Sequence, residues 1–132
     1  MTLKSGHDHD NWAGDGLELM FAPPAVDCRY YQIATTANGD GVYDASHPGG
    51  NVGDDYGVEA KGRILADRYV VEMRIPVKKM HPLRPGELWR ILFARNRTFY
   101  DEIYSHHWEH NFSVGGSGYH DKTSFTPVRI GE

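Results

Sequence analysis

DNWAGDGLELMFAPP, residues 10–24, is the stretch of the sequence that decides the fold. Its apolar residues recur at every second position: Leu17, Leu19 and Phe21. A period of two is typical of a half-buried β-strand, and the two prolines end the strand because proline cannot donate to a ladder. The sequence therefore predicts a strand over 16–22, with Trp12 held in the polar turn before it.

Several further segments have the composition of strands. They cover residues 28–36, 57–64, 69–76, 88–97 and 124–130. The second and third are predicted to form a hairpin, and 88–97 is predicted to be a central strand because it is apolar on both faces. Glycine, asparagine and aspartate dominate 37–55, which is predicted to be a long loop. The absence of any long helical pattern indicates an all-β fold.

The length and charge of the chain limit its class. A chain of 132 residues is predicted to form one domain, over 12–132, behind a polar leader over 1–11. Its formal charge is −4 and it has no basic run, so nucleic acid is not an expected partner. The single cysteine, Cys28, excludes an internal disulfide. No window approaches the length of a membrane span, so a membrane partner is not expected either.

The order of the motifs resembles the family 9 carbohydrate-binding module. The resemblance spans roughly residues 10–130 and is carried by these pieces: Trp12-x-x-Asp15-Gly16-Leu17-Glu18-Leu19, Tyr30-Tyr31-Gln32, Gly57-Val58-Glu59, Tyr69-x-x-Glu72-x-x-Ile75-Pro76, Pro85-Gly86-Glu87-x-Trp89-Arg90-x-x-Phe93-x-Arg95, Trp108, Tyr119-His120 and Phe125. Each piece alone has low specificity, and together they are moderately specific.

The resemblance implies an antiparallel β-sandwich, jelly-roll or immunoglobulin-like, that binds poly- or oligosaccharide without catalysing its hydrolysis. It implies stacked tryptophans, structural Ca²⁺ and no organic cofactor. Such a module would be attached to, or act beside, a secreted glycoside hydrolase in carbohydrate catabolism, in an extracellular or periplasmic location.

One departure from the family concerns the region before Trp12. Members usually carry several dozen residues there, including strands that complete the sandwich, whereas this sequence has eleven. We therefore expect an open edge that a second copy could complete, as a homodimer or by strand exchange. An assembly domain of this kind is one alternative to sugar binding.

A sugar site needs a flat aromatic ring for the apolar face of the pyranose and forked polar groups for its hydroxyls. Trp12 and Trp108 lie in polar sequence and are the predicted platforms, although either ring could instead cap the core. Trp89 alternates with apolar residues and is predicted to be core. The remaining candidate sugar contacts are polar: Asn96, Arg97, His107, His110 and Tyr119.

Two glutamates, Glu18 and Glu72, lie opposite apolar neighbours on their strands. We expect them to accept hydrogen bonds from arginines in a salt-bridge lattice across the sheet. The candidate donors are Arg74, Arg90 and Arg95.

Metal binding is a further alternative. The candidate ligands in the leader are His7, Asp8 and His9, since imidazole and carboxylate suit several metals. His106 and His110 would share one face of a helix and could hold zinc, but the segment lacks a helical apolar stripe. The resemblance also implies a haem alternative, because the same fold superfamily includes domains that ligate haem iron through methionine with histidine or lysine. The candidate methionines are Met20, Met73 and Met80, beside a histidine. Hydrolysis has no support, because no spacing pairs two carboxylates.

Overall fold

The structure is a computed structural model that describes residues 6–7, 15–24, 29–48, 55–100, 106–114 and 120–131. Side chains are described within 15–24, 29–48, 55–97 and 120–131. These residues form nine strands and two short 3₁₀ turns, so the all-β prediction is confirmed. No helix among them has the length and apolar character to cross a bilayer.

The strands are as follows: β1 (Gly6–His7), β2 (Gly16–Ala22), β3 (Tyr30–Thr36), β4 (Gly41–His47), β5 (Glu59–Ile64), β6 (Tyr69–Arg74), β7 (Leu88–Tyr100), β8 (His106–Val114) and β9 (Thr126–Arg129). The 3₁₀ turns are Val77–Lys79 and Lys122–Ser124. Seven strands form one sheet in the order β1-β4-β3-β2-β7-β8, with β9 also paired to β7. Its pairs are antiparallel except that of β1 with β4.

The remaining strands, β5 and β6, form a separate two-stranded sheet. This is the predicted hairpin, which packs on one face of the large sheet through Met73 and Ile75 against Tyr31 and Ile33. A two-stranded hairpin is marginally stable by itself, so its packing on the sheet supplies much of its stability. The described residues therefore have two layers of unequal size, and a complete sandwich stays a prediction.

The central strands are buried on both faces. In β2, predicted to be half-buried, Met20 on the second face is as inaccessible as Leu19 on the first. Met20 packs with Leu92 and Phe125 in a cluster on the face of the sheet opposite the hairpin. Trp89 is 2% exposed, which confirms its prediction as core.

The predicted loop over 37–55 is wrong in part, because β4 occupies Gly41–His47 within it. The strand forms because β3 offers a complete antiparallel ladder, from Tyr30↔His47 to Thr35↔Val42. Pairing with a neighbour outweighs the weak β-propensity of its glycine, aspartate and serine.

The hairpin and the large sheet meet backbone to backbone. The amide of Gly62 in β5 donates to the carbonyl oxygen of Asn38 at 3.1 Å, in the turn between β3 and β4. A Cβ at Gly62 would lie 2.3 Å from the carbonyl oxygen of Ala37. A Cβ at Gly39, whose φ is +76°, would lie 2.3 Å from the amide nitrogen of Gly62. Only glycine at both positions allows the two layers to come this close.

Replacing Gly62 with alanine should therefore lower the free energy of unfolding by about 2 kcal/mol, because backbone atoms must move to admit the methyl group. Urea denaturation followed by circular dichroism measures the change. Gly131→Ala is the matched control, since its Cβ meets nothing within 4 Å. Equal stability of the two variants would show that the layers are not held at this contact.

Candidate functional site

A cleft of about 470 Å³ opens between the tip of the β5–β6 hairpin and the adjacent ends of β2 and β7. The hairpin side consists of the turn Leu65–Arg68 and Tyr69. The sheet side has these residues: Asp15, Leu17, Arg95, Asn96 and Arg97. Among the described residues, no further strand lies between the hairpin tip and the ends of β2 and β7.

Tyr69 is the aromatic residue of this cleft. It is half-buried at the start of β6, and its hydroxyl donates to the carbonyl oxygen of Gly16 at 3.0 Å. Burial raises the pKa of Tyr69, Arg95 opposes that shift, and Asp15 adds to it. The phenol therefore keeps its proton at neutral pH and holds the ring at one place in the cleft wall.

Charged side chains of both signs surround Tyr69. Asp67 and Arg68 pair with each other at 3.1 Å on the hairpin tip, where both are exposed. Arg95 and Arg97 are exposed on β7, at alternate positions that share the cleft side of the sheet. Guanidinium groups donate in a planar fork that matches adjacent oxygens, so the cleft combines an aromatic ring with forked donors.

Asn96 lies between those two arginines in sequence, but its side chain is buried on the opposite face of the sheet. Its Nδ2 donates to Oε2 of Glu18 at 3.0 Å, and Gln32 Nε2 donates to the other oxygen of the same carboxylate. His47 Nε2 in turn donates to Gln32 Oε1 at 2.7 Å. A row of polar side chains thus crosses β7, β2, β3 and β4 within the sheet.

The expected salt-bridge lattice is therefore wrong for Glu18, whose partners are two amides. Arg95 lies on the other face of the sheet, Arg74 pairs with Glu59 at 2.9 Å, and Arg90 donates to the carbonyl oxygen of Phe125 at 3.1 Å. Burial raises the pKa of Glu18, and the hydrogen bonds from Asn96 and Gln32 oppose that rise.

A second aromatic group lies at the far end of the polar row. The ring of Tyr30 stacks on His47 with centroids 4.9 Å apart, and its hydroxyl forms a hydrogen bond with Nδ1 of His120 at 2.6 Å. Burial lowers the pKa of His47, and His120 lowers it further. The sequence analysis did not bring these residues together, because the pairing of Tyr30 with His47 depends on the unpredicted strand β4.

The predicted site residues fall into two groups. Arg97 and Asn96 line the cleft, although the amide of Asn96 is occupied by Glu18. The others lie outside the described residues or outside the described side chains: Trp12, Tyr119, Asp8, His9, His7, His106, His107, Trp108 and His110. Among these, the backbone of His110 lies opposite Asn96 and that of Trp108 lies opposite Thr98 in the β7–β8 ladder.

Two features of the structure concern the predicted metal sites: the strand that contains His106 and His110, and the packing of the candidate methionines. His106 and His110 belong to a strand, in which residues four apart lie roughly 13 Å from each other, rather than to a helix. Within the described part of the chain, no three His, Cys, Asp or Glu side chains are grouped so as to hold a metal ion. Met20 and Met80 each pack in a hydrophobic cluster, and Met73 packs against the second of these.

No protein-family model and no curated protein matches this chain. The fold is similar to a solved crystal structure described as a putative carbohydrate-binding protein from Bacteroides uniformis, with a TM-score of 0.64 at 16% sequence identity. The match covers 96% of this chain and 66% of that protein, so the chain spans slightly less than two thirds of its length. At this identity the similarity concerns the fold.

The raised pKa of Glu18 makes the stability of the protein depend on pH. Below the ordinary value of 4.5 the carboxyl is protonated in the folded and unfolded chains alike, and its contribution is complete. As pH rises above 4.5 and through the raised pKa, that contribution is lost, because the unfolded chain ionises first.

The free energy of unfolding of the wild type, minus that of Glu18→Gln, should therefore fall as pH rises above 4.5. Urea titrations at a series of pH values measure this difference. The lowered pKa of His47 makes the stability of both proteins rise with pH, and this effect largely cancels in the difference. A difference that stays constant, or rises with pH, contradicts the burial of an ionisable Glu18.

Proposed function

We propose that this protein is a noncatalytic carbohydrate-binding module that holds poly- or oligosaccharide in the cleft beside Tyr69. The observation that carries the proposal is the position of Tyr69 in the wall of a 470 Å³ cleft, with arginines on the facing strand. A pyranose presents an apolar face to an aromatic ring and its hydroxyls to forked donors, and this cleft offers both.

The carboxyl groups of the cleft also support a binding role rather than hydrolysis of the sugar. A glycosidase needs two carboxyl groups across the scissile bond, one of them a general acid in a desolvated environment. Of the two aspartates that line the described part of the cleft, Asp15 is buried, whereas Asp67 is exposed and paired with Arg68, so the two do not form such a pair. The fold similarity to the Bacteroides uniformis protein, described as putatively carbohydrate-binding, agrees with a binding role.

Further contacts to the sugar are proposed for Arg97, His107, His110 and Tyr119, with Trp12 and Trp108 as stacking platforms. The amide of Asn96, also predicted as a contact, is instead held by Glu18 on the other face of the sheet. Strand β8 lies beside the cleft end of β7, with the backbone of Glu109 opposite the cleft residue Arg97. A glycan longer than the cleft could then extend from Tyr69 across the end of β7.

Structural Ca²⁺, association with a glycoside hydrolase in carbohydrate catabolism, and an extracellular or periplasmic location are proposals that rest on the family resemblance alone. The same holds for a homodimer or strand exchange. Binding measured in calcium and again in chelator tests the first of these, and light scattering tests the last.

A glycan array followed by titration calorimetry tests the proposed site. Tyr69→Ala should weaken binding at least tenfold, because the sugar loses the ring on which it stacks. Stacking of a nucleobase on an aromatic side chain contributes about 1–3 kcal/mol, and we expect a pyranose face to gain a similar amount. Tyr69→Phe should retain binding within a few-fold, since it keeps the ring and loses only the bond to Gly16.

Val70→Ala is the control on the same strand, because Val70 is 49% exposed and is not part of the cleft. Circular dichroism establishes that each variant folds. Undiminished binding by folded Tyr69→Ala contradicts the site, and failure of the wild type to bind any glycan contradicts the function. Trp12→Ala and Trp108→Ala, in the same assay, test the two platforms.

A further inference from the structure

The cleft has more positive than negative side chains. Among the described residues, three arginines and two aspartates line it, whereas the whole chain carries a formal charge of −4. Asp67 and Arg68 neutralise each other at 3.1 Å. The cleft is therefore positive on a protein that is negative overall, and such a site attracts anions in preference to neutral molecules.

Arg95 is the arginine with the most freedom to meet a ligand. It is exposed, it lines the cleft, and within the described part of the chain its guanidinium makes no hydrogen bond or ion pair. It lies close enough to Tyr69 to act on the phenol electrostatically. A ligand in contact with the Tyr69 ring would therefore have the Arg95 donors at its edge.

These features match one class of sugar. In a uronic acid the carboxylate is attached at the edge of the pyranose ring, so one face can lie on an aromatic ring while the carboxylate meets a guanidinium beside it. An arginine binds a carboxylate through two parallel hydrogen bonds, which are stronger than those it makes to hydroxyls.

We propose that the cleft selects glycans that carry uronic acids, with Arg95 binding the carboxylate of the residue that stacks on Tyr69. This inference rests on the proposed function and names its ligand class. Neither aspartate of the cleft is a free, exposed carboxylate that would repel the anion: Asp67 is paired with Arg68, and Asp15 is buried and has a partner of its own.

Titration calorimetry with oligogalacturonate, and with the same oligomer after its carboxyl groups are reduced to alcohols, tests the inference. The wild type should bind the acidic oligomer at least tenfold more tightly than the reduced one, as expected for a charge-assisted bond. Arg95→Gln should remove most of that preference, because the affinity for the acidic oligomer falls by a larger factor than the affinity for the reduced one. Arg95→Lys should retain part of it, because the charge stays and the fork is lost.

Arg63→Gln is the matched control, since Arg63 is an exposed arginine on β5 outside the cleft. Equal affinity for the two oligomers, equal loss of both in Arg95→Gln, or the same loss in Arg63→Gln overturns the inference. Binding to sulfated but not to carboxylated oligomers overturns it too. Binding to neutral glycans alone leaves the proposed function intact, whereas no binding to any glycan removes both.

Discussion

The backbone contact between Gly62 and the turn at Asn38–Gly39 is the constraint on which the two layers depend. Without a Cβ on either glycine, the hairpin lies directly on the turn that joins β3 to β4. That contact, with the bond from Tyr69 to Gly16, fixes the height of the hairpin tip above β2 and β7. The width of the cleft is therefore set by one backbone contact and by one hydrogen bond from a side chain to a backbone oxygen.

The polar row on the opposite face has a related consequence. Asn96 binds Glu18 across the β2–β7 pair, while its neighbours Arg95 and Arg97 alternate to the cleft side. The amide therefore anchors the strand between the two arginines that line the cleft. Burying Glu18 costs free energy, and the two amides offset part of it. In return the row fixes the register of four strands, because a slip by one residue would reverse every face.

Sequence periodicity predicted the strands that pack against the core along most of their length, such as 16–22, 88–97 and the hairpin. In these strands the alternation of apolar and polar residues is enough to identify the buried face. It did not predict β4, whose composition is typical of a loop and whose order comes from pairing with β3. Nor could it identify the partners of Glu18, since they depend on register between distant strands. Tyr69 lies on the more buried side of β6, but the point where that side reaches the edge of a layer is a property of the assembled fold.

A fold can be shared between chains that retain few side chains in common, and function resides in the side chains that the fold positions. Here the frame is held by glycine contacts and the polar row, whereas the side chains of Tyr69, Arg95 and Arg97 line the cleft. The ring of Tyr69 is fixed at its hydroxyl before any ligand arrives, so stacking on it requires little further ordering. Arg95, by contrast, is exposed and must lose side-chain entropy on binding, which it recovers only from a partner that accepts both of its parallel donors. A fixed ring beside a free guanidinium therefore favours ligands that are flat on one face and anionic at one edge.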